Sequence, residues 1–403
     1  MGQRLIYQPE RHEPLAGQPW DEAIARAAIG RIVSMTESAF SPAAWWAPHP
    51  LDDDKRTEPM YLLYCGAAGM IWALRYLQSQ GAAQPVNDYR PYLHRLLELN
   101  RSDMGEAAKP PFGSYLMGDT PIRMLQHWFE PRYDIAAEIA SLIEGTIDHP
   151  TRELMWGSPG TMLAALFMHR RTGDEQFAQL YRTTARKLWS QLEWSEKDQC
   201  HFWSQDMYGR HSNYIDAVHG FVGTATPLIH GRELLEPAEW DRWRDCIANT
   251  VRRTAEYDGE LVNWRAHLDS PRGGPKLVQY CHGAPGFVIA LGAFPDNSLD
   301  DLLQRGAELT WQAGPLRKGS NLCHGTGGNG YAFLKLFKRT GDELWLDRAR
   351  AFAMHGIAQC EEALQAWGRP RHSLWTGDPG FAIYLLDCIR GGDSFPTVDT
   401  FFG

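Results

Sequence analysis

Tyr280-Cys281-His282-Gly283-Ala284-Pro285-Gly286 and Leu322-Cys323-His324-Gly325-Thr326-Gly327-Gly328 spell the word Cys-His-Gly-x-x-Gly twice in one chain. The glycine frame of that word extends well beyond the two copies. Gly66/Gly69, Gly157/Gly160, Gly220/Gly223, Gly283/Gly286, Gly325/Gly328 and Gly377/Gly380 are all Gly-x-x-Gly pairs, each followed by an apolar run such as Met70-Ile71-Trp72-Ala73-Leu74. The interval of 91 residues from Gly66 to Gly157 is the longest, and Gly118-Asp119-Thr120-Pro121, ahead of Ile122-Arg123-Met124-Leu125, supplies a degenerate copy inside it. Seven units at spacings of 39 to 63 residues result. Self-similarity at such a period marks a repeat architecture.

Each unit reads as a helical hairpin. After Gly160 the apolar positions Met162, Leu163, Ala165, Leu166 and Met168 recur at helical spacing, and Thr172-Gly173-Asp174-Glu175 then stops the helix and starts another. Thr340-Gly341-Asp342-Glu343 repeats that punctuation. Almost nothing reads as an alternating strand. Neither end shows the polar capping repeat of an open solenoid, so the expected fold is all-α, an α/α toroid of seven helical hairpins with the Gly-x-x-Gly loops at one rim. The expected boundaries are 1–55 for an N-terminal extension with a leading helix, 56–395 for the toroid and 396–403 for a C-terminal tail.

The 403 residues are 43% hydrophobic and 22% charged, and no run approaches the roughly 20 apolar residues of a membrane helix. A net charge of −9 without a basic run argues against nucleic acid as a partner. The opening Met1-Gly2-Gln3-Arg4-Leu5-Ile6 lacks an apolar leader and a myristoylation pattern, which predicts a cytoplasmic protein with no membrane anchor. A toroid closes its own surface, so a monomer is expected. The 16 tryptophans read as core.

Seven cysteines, an odd number without a Cys-x-x-Cys pair, argue against a disulfide framework. Cys200, Cys246, Cys360 and Cys388 read as small buried hydrophobes in helical contexts, and Cys65 as packing. Cys281 and Cys323 differ because they hold the same place in neighbouring repeats, two residues before the first glycine. With His324 they offer two thiolates and one imidazole, a set that suits one Zn²⁺ per chain and leaves a fourth position open, as in catalytic zinc sites. His282 mirrors His324 and is expected beside the metal or against the substrate.

These words resemble the lanthionine synthetase C family, the LanC cyclases and their LanC-like relatives, over roughly residues 60 to 390. The resemblance implies an α/α toroid with a central zinc on Cys281, Cys323 and His324. Peptide cyclases of the family carry Cys-Tyr-Gly at the first word, whereas Cys281-His282-Gly283 is similar to the LanC-like branch, which is associated with glutathione and its addition to dehydroamino acids. Lys318 matches a LanC-like lysine of the glutathione site, and Arg369 and Arg371 lie near the place of a second basic residue. The resemblance also places a catalytic histidine at His219, in Asp216-Ala217-Val218-His219-Gly220, and a carboxylate at Glu153.

The residues support the same roles on chemical grounds. A thiolate attacking the β-carbon of a dehydroamino acid leaves an enolate that needs a proton, and His219 stands at a glycine rim where it can supply one. Glu153 is its expected acid–base companion. His211, Arg265 and Lys276 are expected as solvated loop residues. The leading reading is zinc-dependent addition of glutathione to dehydroalanine or dehydrobutyrine in a peptide or protein. A lanthionine-forming peptide cyclase and a non-catalytic zinc and glutathione binder are the alternatives. Toroid glycosidases, which use paired carboxylates, are set aside because no such pair is read at the rim.

Overall fold

A computed structural model describes residues 5–52, 56–105 and 112–403; residues 1–4, which open the stretch read as lacking a leader, lie outside it. Fourteen α-helices among the described residues, numbered in chain order, alternate between two layers. The outer layer holds α1 (Glu22–Ala39), α3 (Leu93–Met104), α5 (Tyr133–Thr146), α7 (Glu175–Ser190), α9 (Pro237–Thr254), α11 (Asp300–Ala313) and α13 (Glu343–Trp367). The inner layer holds α2 (Ala67–Ser79), α4 (Thr120–Phe129), α6 (Ser158–Thr172), α8 (Phe221–His230), α10 (Ala284–Leu291), α12 (Thr326–Thr340) and α14 (Asp378–Arg390). Each inner helix packs on the next, and α14 packs back on α2, which closes the ring. The leading helix α1 lies against α14 as its outer partner. The expected toroid is the observed fold.

Hydrophobic patterning sorts the layers. Every residue of α10 and Ser158 through Met168 of α6 are buried, and a helix apolar all round belongs inside. In α7 the buried residues Phe177, Tyr181, Thr184 and Leu188 instead form one stripe. The hairpin turns follow the sequence: Gly173 and Gly341 end α6 and α12 in the left-handed conformation (φ 70° and 72°), and Asp174 and Asp342 cap the next helices through their carboxylates.

The second glycine of each pair is needed for close approach. A Cβ on Gly328 would stand 1.8 Å from the Leu322 carbonyl oxygen, and one on Gly380 2.0 Å from that of Leu374, because each loop folds back over the first turn of its helix. In the degenerate unit Pro121 occupies this place, where its ring suits a first helical turn. The loops are then stitched to one another by their backbones. The residue two before the first glycine donates its N–H to the carbonyl of its counterpart in the adjacent loop: Cys281 to Cys323 (3.1 Å), Cys323 to Trp375 (2.8 Å), Trp375 to Tyr64 (3.1 Å), Tyr64 to Leu116 (3.1 Å) and Leu116 to Met155 (3.3 Å). Leu116 takes its place in this series, so the unit at Gly118 is a full member of the ring.

The expectation of almost no strand needs one correction. Among the described residues there are three two-stranded antiparallel hairpins, β1–β2 (Glu193–Ser195, Cys200–Phe202), β3–β4 (Gln205–Met207, Arg210–Ser212) and β5–β6 (Ala255–Asp258, Leu261–Trp264). They sit in the long connections α7–α8 and α9–α10, and their three- and four-residue strands are too short for alternation to show. Cys200 accordingly lies on β2 and not in a helix. The final residues enter the core: Phe395 stacks on Tyr280 at 4.3 Å, and the buried Phe401 accepts the indole N–H of Trp72 through its carbonyl.

Two glycine substitutions should separate close approach from helix propensity. Gly328→Ala should destabilise by about 2 kcal/mol or more through backbone clash, whereas Gly30→Ala, exposed inside α1 with open space around it, should stabilise by up to about 1 kcal/mol. Urea unfolding of the two variants checks the opposite signs.

Candidate functional site

The ring of loops brings Cys281 and Cys323, 42 residues apart in sequence, into backbone contact. The Sγ atoms of both and a ring nitrogen of His324 all lie within 4.8 Å of one another. Both cysteines are buried. The hydrogen bond from Cys281, with further support from His324 and Tyr64, holds the Cys323 thiol well below its ordinary pKa, while the same contact and burial push Cys281 well above. Two sulfurs and an imidazole so arranged fit a borderline-soft divalent cation, which would let both thiols ionise. Each sulfur also receives one side-chain donor: the Tyr64 hydroxyl lies 2.9 Å from Cys323 Sγ, and the Gln279 amide nitrogen 2.8 Å from Cys281 Sγ.

The stitching around the rim is interrupted at the Val218 loop, and the interruption holds Glu153 and His219, the residues expected from the sequence as acid and base. Met155 N–H turns to the Glu153 carboxylate (2.9 Å), and Val218 N–H to that of Asp216 (3.1 Å). Both acids stand four residues before their first glycine. This slot caps the loop: Trp156 N–H bonds Glu153 and His219 N–H bonds Asp216, as Met117, His324 and Thr376 amides bond Ser114, Asn321 and Ser373 elsewhere. Where the cap is a carboxylate, its second oxygen is available to an imidazole. Glu153 meets His219 Nδ1 at 3.0 Å, and Asp216 meets His282 Nδ1 at 2.7 Å.

Both imidazoles lie beside Tyr214, whose ring is 5.5 Å from His219, 6.2 Å from His282 and 3.8 Å from His267. Glu153 and Asp216 are wholly buried, whereas the His219 and His282 side chains keep 18% and 23% exposure, so only the imidazoles reach the mouth. Burial works to lower the His219 pKa, but the hydrogen bond and charge of Glu153, backed by Asp216 and Cys323, outweigh it and the net shift is upward. His282 is raised in the same way, burial being overcome by Asp216.

Other sequence expectations fare differently. Lys318 is exposed on the turn leading to Cys323, and His211 is exposed on β4. The Arg371 guanidinium is engaged by Asp52 at 2.7 Å. Arg265 and Lys276 are not solvated loop charges. Arg265 is 1% exposed and bonds Asp198 (2.7 Å) and Glu256 (3.4 Å), while Lys276 pairs with Glu256 (2.8 Å), tying β1–β2, β5–β6 and the approach to Cys281 together. Nor is the rim without paired carboxylates, since Glu153 and Asp216 are such a pair, although each is closed off behind its histidine. Sequence reading gave no role to Asp216, Gln279 or Tyr64. The signal was the repeat register: Asp216 and Gln279 occupy the slot of Glu153, and Tyr64 the slot of Cys281 and Cys323.

Residues 24–400 match the family profile described as lanthionine synthetase C-like protein. Among curated proteins, the chain is 29% identical to glutathione S-transferase LANCL1 of Danio rerio over 246 residues, 59% of each chain. It is 26% identical to LanC-like protein GCL1 of Arabidopsis thaliana over 60% of this chain and 57% of that one. The matched stretch thus spans under two thirds of either relative. Among solved structures, nisin cyclase superposes with a TM-score of 0.57 at 14% identity, covering 91% of this chain and 94% of that one, a likeness of fold.

The buried ion network gives a stability prediction. Arg265→Ala removes the buried guanidinium shared by Asp198 and Glu256, leaving them only Arg272 and Lys276, and should cost about 3 kcal/mol in urea unfolding, whereas Arg317→Ala, an exposed charge 3.8 Å from Glu13, should change stability by less than about 1 kcal/mol.

Proposed function

The chain belongs to the lanthionine synthetase C-like family, and from that membership and its site we propose that it adds a thiol, glutathione, to dehydroalanine or dehydrobutyrine residues of peptide or protein substrates. The observation that carries this reading is the presence, in one mouth, of a two-sulfur, one-nitrogen metal set and an imidazole locked by a buried carboxylate. The match to a relative named glutathione S-transferase supports glutathione as the thiol, and exposed Lys318 is the residue we assign to it, with His282 beside it.

Cys281, Cys323 and His324 would hold zinc, which supplies an open position where a substrate thiol stays ionised at neutral pH. The new bond runs from that sulfur to the substrate β-carbon, and the double-bond electron pair moves to the α-carbon and carbonyl. His219 completes the reaction. Its Nδ1 is occupied by Glu153, so Nε2 is the nitrogen that delivers a proton to the α-carbon. Glu153 cannot swing away, because its two oxygens also accept the Met155 and Trp156 amides.

Purified protein should contain about one zinc per chain, lost on changing Cys281, Cys323 or His324 to Ala. With a dehydroalanine peptide and glutathione, mass spectrometry should show an adduct of glutathione mass. Cyclisation of a cysteine-containing peptide without change of mass would replace this reading by the cyclase one, and metal-bound protein with no product would leave a binding protein.

The pH profile tests the acid. His219 is faced by Glu153, Asp216, Cys323, His267, His282 and Tyr214, and its pKa is raised. Adduct formation should therefore persist above the ordinary histidine range and fall as pH rises through the raised value. Glu153→Gln removes the supporting charge, so the fall should begin at lower pH. His219→Asn should slow the reaction by about 10²-fold or more while zinc content is unchanged.

A further inference from the structure

A site that presents a dehydroamino acid to a metal-held thiol faces a selectivity problem of its own. The electrophile meets three sulfurs and not one, because the ligand sulfurs of Cys281 and Cys323 lie within 4.8 Å of each other and of the His324 nitrogen. Addition of Cys323 Sγ to the substrate β-carbon would form a sulfur–carbon bond and move the double-bond pair to the α-carbon, where a proton from His219 or water closes the step. A thioether would then replace a thiolate ligand, and the enzyme would be inactivated by its own substrate. Cys281 faces the same hazard.

We propose that Tyr64 and Gln279 are positioning residues that cap the two ligand thiolates, each donating one hydrogen bond to a sulfur lone pair, so that only the substrate thiol is left reactive. The two caps are separate in origin and matched in effect. Tyr64 comes from the first repeat, at the slot that Cys281 and Cys323 occupy in theirs, and its hydroxyl reaches Cys323 Sγ at 2.9 Å. Its ring is held 5.5 Å from Trp375, and its own amide and carbonyl belong to the rim stitching. Gln279 comes from the fifth repeat, at the slot that holds carboxylates in Glu153 and Asp216. A carboxylate there would repel the neighbouring thiolate, whereas the amide donates to Cys281 Sγ at 2.8 Å. Backbone bonding around Gln279, its N–H to the His282 carbonyl at 3.1 Å and the His282 N–H back to its carbonyl at 3.0 Å, fixes the turn that aims it. A donated hydrogen bond withdraws charge from a sulfur and lowers its nucleophilicity, and groups just outside a metal's ligands tune it in this way.

The inference rests on the thiol-addition reading, but its decisive test needs no natural substrate. Zinc-loaded protein is treated with acrylamide, a simple electrophile with the same vinyl–carbonyl unit, and alkylation of each cysteine is followed by residue-resolved mass spectrometry. Tyr64→Phe, which keeps the ring against Trp375, should speed alkylation of Cys323 by about fivefold and leave Cys281 unchanged. Gln279→Leu should do the reverse. In cobalt-substituted protein, each variant should also move the sulfur-to-metal charge-transfer band to lower energy, since an uncapped thiolate gives up charge more readily. Unchanged rates in both variants, or equal acceleration at both cysteines with loss of metal, overturns the proposal. If either variant fails to fold, the other carries the test alone, because each cap has its own cysteine. Residue-specific protection with no glutathione adduct on a dehydroalanine peptide would keep the caps and reject the reaction.

Discussion

The structure depends on the backbone stitching between neighbouring loops. Seven helical hairpins could stack into an open superhelix, and what draws these together at the rim of Gly-x-x-Gly loops is the N–H to carbonyl series from Cys281 through Cys323, Trp375, Tyr64 and Leu116 to Met155. Each link requires the loop to lie flat on the first turn of its helix, and glycine permits that approach. Loop, helix start and ring closure are therefore one constraint. A side chain at the second glycine of a Gly-x-x-Gly pair would clash with the loop folded over it.

The site grows out of the same constraint. Residues two before a glycine point inward beside their neighbours, which makes Cys281, Cys323 and Tyr64 a contiguous group although they come from three repeats. Residues four before a glycine cap their loops, a task met by serine or asparagine in several units. In the third and fourth units the cap is a carboxylate, and there the Val218 link of the stitching is replaced by bonds to Glu153 and Asp216. Each acid thus ends its own loop and orients an imidazole with its other oxygen. The carboxylate–imidazole geometry here is obtained by altering a structural slot that every repeat already has.

The hairpin connections show a different logic. The α7–α8 and α9–α10 connections lengthen into β-hairpins, and their charges are buried in the network of Asp198, Arg265, Glu256 and Lys276. Such a network is weak as a source of stability but intolerant of losing one member. It holds in place the chain that leads to Gln279 and Cys281.

Periodicity determined most of the fold. The Gly-x-x-Gly frame, the apolar runs and the Thr-Gly-Asp-Glu turns are local signals, each acting within a few residues, and they were enough to count seven units, set their helices and place Cys281, Cys323, His324, His219 and Glu153 at one rim. The pairing of Glu153 with His219 and of Asp216 with His282, the caps from Tyr64 and Gln279, and the burial of Arg265 and Lys276 were decided only by the tertiary structure. Apart from the Gln279–Cys281 contact, which lies within one loop and depends on how that loop is folded, those contacts join residues from different repeats or flank strands too short to alternate, and a hydrogen bond between side chains 66 or 259 positions apart leaves no periodic trace in either segment. The packing of the loops around the ring creates them, by bringing residues of separate units within a few ångströms of one another.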